Sequence, residues 1–295
     1  MKTQKIAILM TVHNRKEKTL CCLDRIYKLD VPDETQIDVF VTDDGCTDGT
    51  AEAIKLQYPK VNVLPGDGTL FWNRGMVFAW KEAAKHDYDY YLWLNDDTFI
   101  YPDLINVLLE TALNVNNEGV VVGATCVPQT NNFSYGGRLL NGHAVKPNGS
   151  IQNVELANGN IVLIPRKVFD AVGIMDPYYR HDKGDSDYSL LVREHGFRLV
   201  QAPKFLGECE RHERLPKWMD PHQPLFVRWK SLYSVMGPNP HEVFYYEKKH
   251  FGMVRAIKKV LATYLRCVCP KFFVWTGKEK KLYGIQIDQI HHGNS

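Results

Sequence analysis

Three short clusters near the N-terminal end combine side chains suited to binding a phosphorylated ligand together with a cation. They are Thr11-Val12-His13-Asn14-Arg15, Asp43-Asp44-Gly45-Cys46-Thr47-Asp48-Gly49 and Asn95-Asp96-Asp97-Thr98. Each follows directly on an apolar run of strand length. Adjacent carboxylates at a strand end repel each other and lose hydration. A divalent cation with oxygen ligands compensates for this, especially one that also takes phosphate oxygens. Turn formation and helix capping are the plain alternative for any single Asp-Asp-Gly. Two Asp-Asp pairs, followed downstream by Asp185 and Asp187, exceed what turns alone require.

These clusters need a scaffold that brings strand ends together, and the pattern supplies one. Lys5 to Val12 is a nearly continuous apolar run, as expected for a strand covered on both faces. Lys16 to Leu29 then places Leu20, Leu23, Ile26 and Tyr27 at helical spacing. Strands are expected over 37–42, 61–64, 90–94 and 120–125, and helices from Thr50, over 74–85 and over 102–114. Thr47 or Asp48 is the expected cap of the helix that opens near Thr50. This alternation predicts an α/β fold, a Rossmann-like and mostly parallel sheet with flanking helices. In such sheets ligands bind at the carboxyl ends of the strands, where the three clusters lie. Beyond Pro128 the chain loosens into Asn/Gly-rich turns, then resumes with a strand over 161–164, helices over 167–172 and 185–195, and a strand over 198–202. Aromatic and basic residues interleave through helical stretches around 223–236 and 242–267.

The ordered set of motifs resembles family 2 of the nucleotide-sugar glycosyltransferases, with a GT-A fold, and within it the branch that includes bacterial rhamnosyltransferases. Besides the three clusters, the matching elements are Gly68-Thr69-Leu70-Phe71-Trp72-Asn73-Arg74-Gly75-Met76, Gly173-Ile174-Met175-Asp176 and Gly184-Asp185-Ser186-Asp187-Tyr188. The resemblance implies a metal-dependent, inverting transfer from a UDP- or TDP-sugar to a hydroxyl of a glycan or lipid-linked glycan, in bacterial surface polysaccharide synthesis. It places Thr11, Asn14, Asp43, Asp44, Asn73, Arg74 and Asp96 around the nucleotide, with the Asp44 carboxylate beside the base. Asn95-Asp96-Asp97 matches the family's metal motif, which makes Asp97 the ligand of Mn²⁺ or Mg²⁺ and His212 a further metal or diphosphate contact. Asp185 matches the general base, with Asp187 as the alternative. The commoner family form has Glu-Asp where this chain has Gly184-Asp185. A nucleotidyltransferase, the rival enzyme class, usually opens with a glycine-rich loop after its first strand, and residues 11–15 contain no glycine. A nucleotide-sugar-binding relative without turnover is the remaining alternative.

Composition agrees with a soluble globular protein: 44% of the 295 residues are apolar and 24% charged. The formal net charge of +2 makes no demand for nucleic acid. Seven scattered cysteines without a C-x-x-C pair suggest free thiols and a cytoplasmic protein. The small total conceals an asymmetry, since Glu242 to Tyr283 holds ten Lys/Arg against three acidic residues, a net of +7. The expected division is a catalytic domain over 1–220 and a basic, aromatic-rich helical extension over 221–295. Within that extension, Tyr245 to Lys249 and Met253 to Cys269 fit an amphipathic helix lying on the anionic face of a membrane. A solvated helical face fits the same pattern.

Overall fold

A computed structural model describes residues 3–211 and 215–275 of the chain. The chain divides after Arg211 into two compact units.

The first unit runs β1 (Gln4–Val12), α1 (Lys16–Ile26), β2 (Thr35–Asp43), α2 (Thr50–Gln57), β3 (Asn62–Pro65), α3 (Phe71–Ala83), β4 (Tyr90–Leu94), β5 (Phe99–Ile100), α4 (Leu104–Asn114) and β6 (Gly119–Cys126). It continues through β7 (Phe133–Tyr135), β8 (Gln152–Val154), β9 (Ile161–Pro165), α5 (Arg166–Val172), α6 (Gly184–Glu194) and β10 (Arg198–Glu208). The sheet order is β3-β2-β1-β4-β9-β6-β10-β5, with β7 added to β6 and β8 to β10. Along the main path only β9 and β5 run against the others. The expected mostly parallel α/β sheet is present. Strand β9 lies antiparallel between β4 and β6, with Leu94 facing Ile161 and Val121 facing Leu163.

Side-chain alternation divides the core between the two faces of the sheet. Ile6, Ile8, Met10, Tyr90, Leu92 and Leu94 pack with Leu23, Ile26 and Leu108 of α1 and α4. Their neighbours Ala7, Leu9, Tyr91 and Trp93 face the other way, onto Met76 and Trp80 of α3 and Tyr188 of α6. On this second face Trp93 meets Trp80 at 5.5 Å and Tyr188 at 5.2 Å between ring centroids. These aromatic contacts fix the α6 helix, one turn of which carries both Asp185 and Tyr188.

Two boundaries differ from the sequence reading for identifiable reasons. Helix α3 starts at Phe71 rather than Arg74, because a distant residue, Asp44, accepts the N–H groups of Leu70 and Phe71. Strand β10 runs past Ala202 to Glu208 by way of register shifts between Gln201 and Gly207, which break the alternation that would reveal it.

The second unit contains a 3₁₀ turn (Lys217–Met219), α7 (Leu225–Leu232), α8 (Pro240–Phe251), α9 (Met253–Val268) and α10 (Pro270–Trp275). Its core is small: Trp218, Met219, Leu232 and Cys267. Among the described residues no helix is long and apolar enough to cross a membrane.

Candidate active site

The carboxyl ends of β1, β2 and β4 bring the three polar clusters to one edge of the sheet, as β1 pairs in parallel with both β2 and β4. At the end of β1, Thr11 is nearly buried. A Cβ on Gly75 would lie 2.4 Å from Thr11 Cγ2, so only glycine allows α3 to approach this strand end. Asn14 is exposed, adopts a left-handed backbone (φ 49°), and accepts hydrogen bonds from the Thr47 N–H and hydroxyl. It thereby ties the first cluster to the second. Asp43 is half-buried and accepts the Cys46 N–H at 2.9 Å, which supports the turn. Asp48 accepts both the N–H and the hydroxyl of Thr50, while the cap position of α2 falls on the left-handed Gly49 (φ 79°) rather than on Thr47 or Asp48.

Several residues expected at the nucleotide turn inward instead. Asp44 is 2% exposed, and its carboxylate accepts the backbone N–H groups of Gly68, Leu70 and Phe71 at 2.7–3.1 Å. It holds the 66–71 loop rather than offering a free edge to a base. Asn73 is fully buried, and its amide nitrogen donates to the carbonyls of Asp176 and Tyr179 at 2.9 and 2.8 Å. It anchors the 176–180 loop and has no surface with which to meet a nucleotide. Arg74 is partly exposed and reaches the same loop, donating to the Pro177 and Tyr178 carbonyls. That uses two of the five N–H donors of its guanidinium. Asp96 is fully buried, accepts the Thr19 hydroxyl and pairs with Arg15 at 2.6 Å. Burial pushes its carboxyl up to about 6 against the opposing pull of Arg15.

Asp97 behaves differently. Its Oδ2 pairs with Arg15 at 2.8 Å, while its buried Oδ1 has no hydrogen-bond partner among the described residues. Arg15 therefore bridges both carboxylates of the acidic pair. A buried carboxylate oxygen left without a donor is costly unless something positive reaches it. A divalent cation fits there. Among the described residues no group of three or more His, Cys, Asp or Glu could hold a metal ion. A cation at Asp97 would take most of its ligands from diphosphate oxygens and water, a usual arrangement for Mg²⁺. His212 lies outside the described residues.

Asn95, the first residue of this motif, does structural work that an aspartate could not. Its Oδ1 accepts the Trp72 indole N–H at 2.7 Å while its Nδ2 donates to Asn160 Oδ1. Both an acceptor and a donor are needed, and a carboxylate supplies only acceptors. Trp72 in turn packs against Gly159, where a Cβ would fall 2.3 Å from the indole ring.

Helix α6 opens on Lys183, in a left-handed conformation (φ 73°), and presents Asp185 in its first turn. Asp185 is half-buried; its oxygens accept the N–H of Gly159 at 3.2 Å and of Ser186 at 2.6 Å. Burial raises its carboxyl above the usual carboxylate range, and the nearby Arg138 guanidinium draws it back down. Asp187, the alternative base, is fully buried and accepts the Tyr179 hydroxyl at 2.9 Å. It cannot meet an acceptor from solvent, and its position makes it a support of the 176–180 loop. Gly184 also has a physical explanation: a Cβ there would lie 1.8 Å from Asn73 Oδ1. The glutamate common at this position does not fit while Asn73 holds its loop.

The sequence places Arg15 and Asn95 within the polar clusters without giving either a role of its own, and it does not single out Arg138. A signal existed for Arg15, a cation one step beyond a strand whose neighbour ends in two carboxylates. None existed for Arg138, whose buried Nε has no hydrogen-bond partner among the described residues.

A mostly parallel α/β sheet with flanking helices and an acidic pair at the end of a central strand is the arrangement of the GT-A class. The family model described as glycosyl transferase family 2 matches residues 7–173. The chain belongs to this family. Among solved structures, TarS 1–349 of S. aureus is similar with a TM-score of 0.53 and 12% identity, over 97% of this chain and 77% of its own. GalNAc-T7, solved with UDP, GalNAc and Mn²⁺, gives 0.55 and 14%, over 90% of this chain and 57% of its own. The mannosyltransferase PcManGT of Pyrobaculum calidifontis, in complex with GDP-Man and Mn²⁺, gives 0.51 and 16%, over 96% and 81%. At these identities the likeness establishes the fold. No curated protein sequence matches the chain.

Proposed function

We propose that this family 2 glycosyltransferase carries out an inverting transfer from a UDP- or TDP-sugar to a hydroxyl of a glycan or lipid-linked glycan, as in surface polysaccharide assembly. The observation that carries the reading is Asp185, a half-buried carboxylate pinned by two backbone N–H groups in the first turn of a helix. Such fixing orients one oxygen for proton transfer, and a raised pKa strengthens it as a base. The acceptor O–H gives its proton to Asp185 as its oxygen attacks the anomeric carbon. The bond from that carbon to the diphosphate oxygen breaks on the opposite face, and its electron pair leaves with the diphosphate.

On the donor side Thr11, Asn14 and Asp43 line the nucleotide end, and Asp44 acts through the loop it holds. Asp97 would hold Mn²⁺ or Mg²⁺ through Oδ1, and the cation would neutralise charge on the departing diphosphate. Arg15 keeps the acidic pair compensated beside it, and Asp96 orients Arg15 from below. Arg74, whose guanidinium keeps donors beyond those given to the Pro177 and Tyr178 carbonyls, would pair with a phosphate.

Incubating the full chain with UDP-, TDP- and GDP-sugars and Mn²⁺ or Mg²⁺ tests this reading. Slow metal-dependent release of a nucleoside diphosphate from a UDP- or TDP-sugar is expected. Pyrophosphate release would instead indicate nucleotidyl transfer, and binding without turnover an inactive relative.

A further inference from the structure

Helix α9 presents three distinct arcs. One is packed: Ala256, Thr263 and Cys267 are buried, Tyr264 stacks on Trp229 of α7 at 5.4 Å, and Arg228 of α7 donates to the Cys267 carbonyl at 2.7 Å. The helix is therefore held at a fixed rotation against α7. Beside that arc, Met253, Val254, Ile257, Leu261, Leu265 and Val268 are each 46–67% exposed. The spacing of the last five, three or four residues at each step, makes one continuous apolar stripe along the helix. Beyond the stripe come Arg255, Lys258, Lys259 and Arg266.

Charge separates this stripe from an ordinary surface. Residues 253–275 contain five Lys/Arg and no Asp or Glu. Arg255 is held by Glu247 of α8 at 2.8 Å and lies over the Phe251 ring. Lys258 is exposed and sits one turn from both Val254 and Leu261, at the border of the apolar stripe. A lysine there can lay its stem along apolar surface and carry its ammonium to a more polar layer. Scattered exposed hydrophobic residues are ordinary; six on one face of a 16-residue helix without one acidic neighbour in that helix are not.

We infer that α9 docks on a membrane surface rich in anionic lipid, with the Val254–Val268 stripe among the acyl chains, Lys258 at the phosphate-bearing headgroups and Lys259 adding its charge from the opposite, polar face. An interfacial helix needs an apolar face, a basic polar face and low overall hydrophobicity, which α9 combines. Each basic side chain near such a surface adds attraction that falls away within a Debye length, so binding is sensitive to salt. Phe272 of α10 adds a further exposed ring.

The test is vesicle flotation of the full chain, comparing phosphatidylcholine alone with phosphatidylcholine containing about a third phosphatidylglycerol. Wild type is expected to float with the anionic vesicles at low salt, much less with neutral ones, and to be released as salt rises. The variant L261E/L265E is expected to partition at least ~10-fold more weakly, and K258E/K259E to lose the preference for anionic lipid. Because these positions are exposed, both variants should keep the wild-type melting temperature and its rate of donor hydrolysis. Failure of the wild type to float with anionic vesicles overturns the inference, as does undiminished flotation of L261E/L265E. A wild-type dimer that L261E/L265E dissolves, without lipid binding by either protein, would assign the stripe to self-association and also overturn it. Flotation requires no turnover, so a protein that floats yet releases no nucleoside diphosphate refutes the transferase reading alone.

Discussion

Replacing Gly184 by alanine perturbs the helix that carries Asp185 at one atom. The new Cβ would fall 1.8 Å from Asn73 Oδ1 and 2.5 Å from its Cγ. An ordinary carbon–oxygen contact is roughly 3.3 Å, so one of the two residues must move by more than ~1 Å. Asn73 resists, since turning its amide breaks the bonds to the Asp176 and Tyr179 carbonyls in a fully buried site. Losing two buried hydrogen bonds, or overpacking by a methyl group, costs about 2–4 kcal/mol. For a protein of this size that lowers the melting temperature by roughly 5–10 °C. If α6 moves instead, Asp185 moves with it, and a displacement of about 1 Å lowers transfer by roughly 100-fold. The assay pairs thermal unfolding with product formation for Gly184→Ala, Asn73→Ala and the double variant. Asn73→Ala removes the obstructing oxygen, so the double variant should be better than the sum of the single effects by at least ~1 kcal/mol. Wild-type stability and activity in Gly184→Ala, or strict additivity in the double variant, would refute the reasoning.

Four further outcomes are expected. Asp185→Asn should lower transfer by ~1,000-fold or more while donor binding, followed by calorimetry, stays near wild type. Arg138→Leu removes the positive group that opposes the raised pKa of Asp185. A base must be deprotonated to act, so the acid limb of kcat/KM should move to higher pH; an unmoved or lowered limb would remove Arg138 from this role. Asp97→Ala should weaken Mn²⁺ binding in the presence of nucleoside diphosphate by ~10-fold or more, read by electron paramagnetic resonance without turnover. Asp44→Ala orphans three backbone N–H groups in the 66–71 loop, and should cost about 3 kcal/mol of stability in a thermal or denaturant melt.

Much of the scaffold is legible because its strands are short apolar runs whose ends carry polar clusters. β1, β2 and β4 declare themselves this way, and with them the edge where Asp97 lies. The direction of β9 is not legible, since Ile161-Val162-Leu163-Ile164 reads the same whichever way the strand runs. Carboxylate positions can be found from sequence, but not the direction in which each points. Asp44 and Asp96 stand beside Asp43 and Asp97, yet each turns inward to partners distant along the chain: the N–H groups of residues 68–71, and Thr19 with Arg15. Asn73 was equally opaque, because its partners are main-chain carbonyls of a loop with no periodic signature. Tertiary hydrogen bonds to backbone leave almost no trace in side-chain type.

The antiparallel placement of β9 also bears on how the polypeptide acquires its structure. Strands β4 and β6 are central in the finished sheet, and both present a bare hydrogen-bonding edge until residues 161–165 arrive between them. A nascent chain that has emerged only as far as β6 therefore exposes the β9-facing edges of β4 and β6 and also the β10-facing edge of β6, the kind of surface on which chains pair with one another. Asn160, the residue just before this strand, accepts the Asn95 N–H at 3.1 Å, so the arrival of β9 also ties the end of β4 to residues 158–160. Truncation before residue 165 should yield aggregates rather than a donor-binding half-domain, and unfolding of 1–211 should be a single cooperative transition.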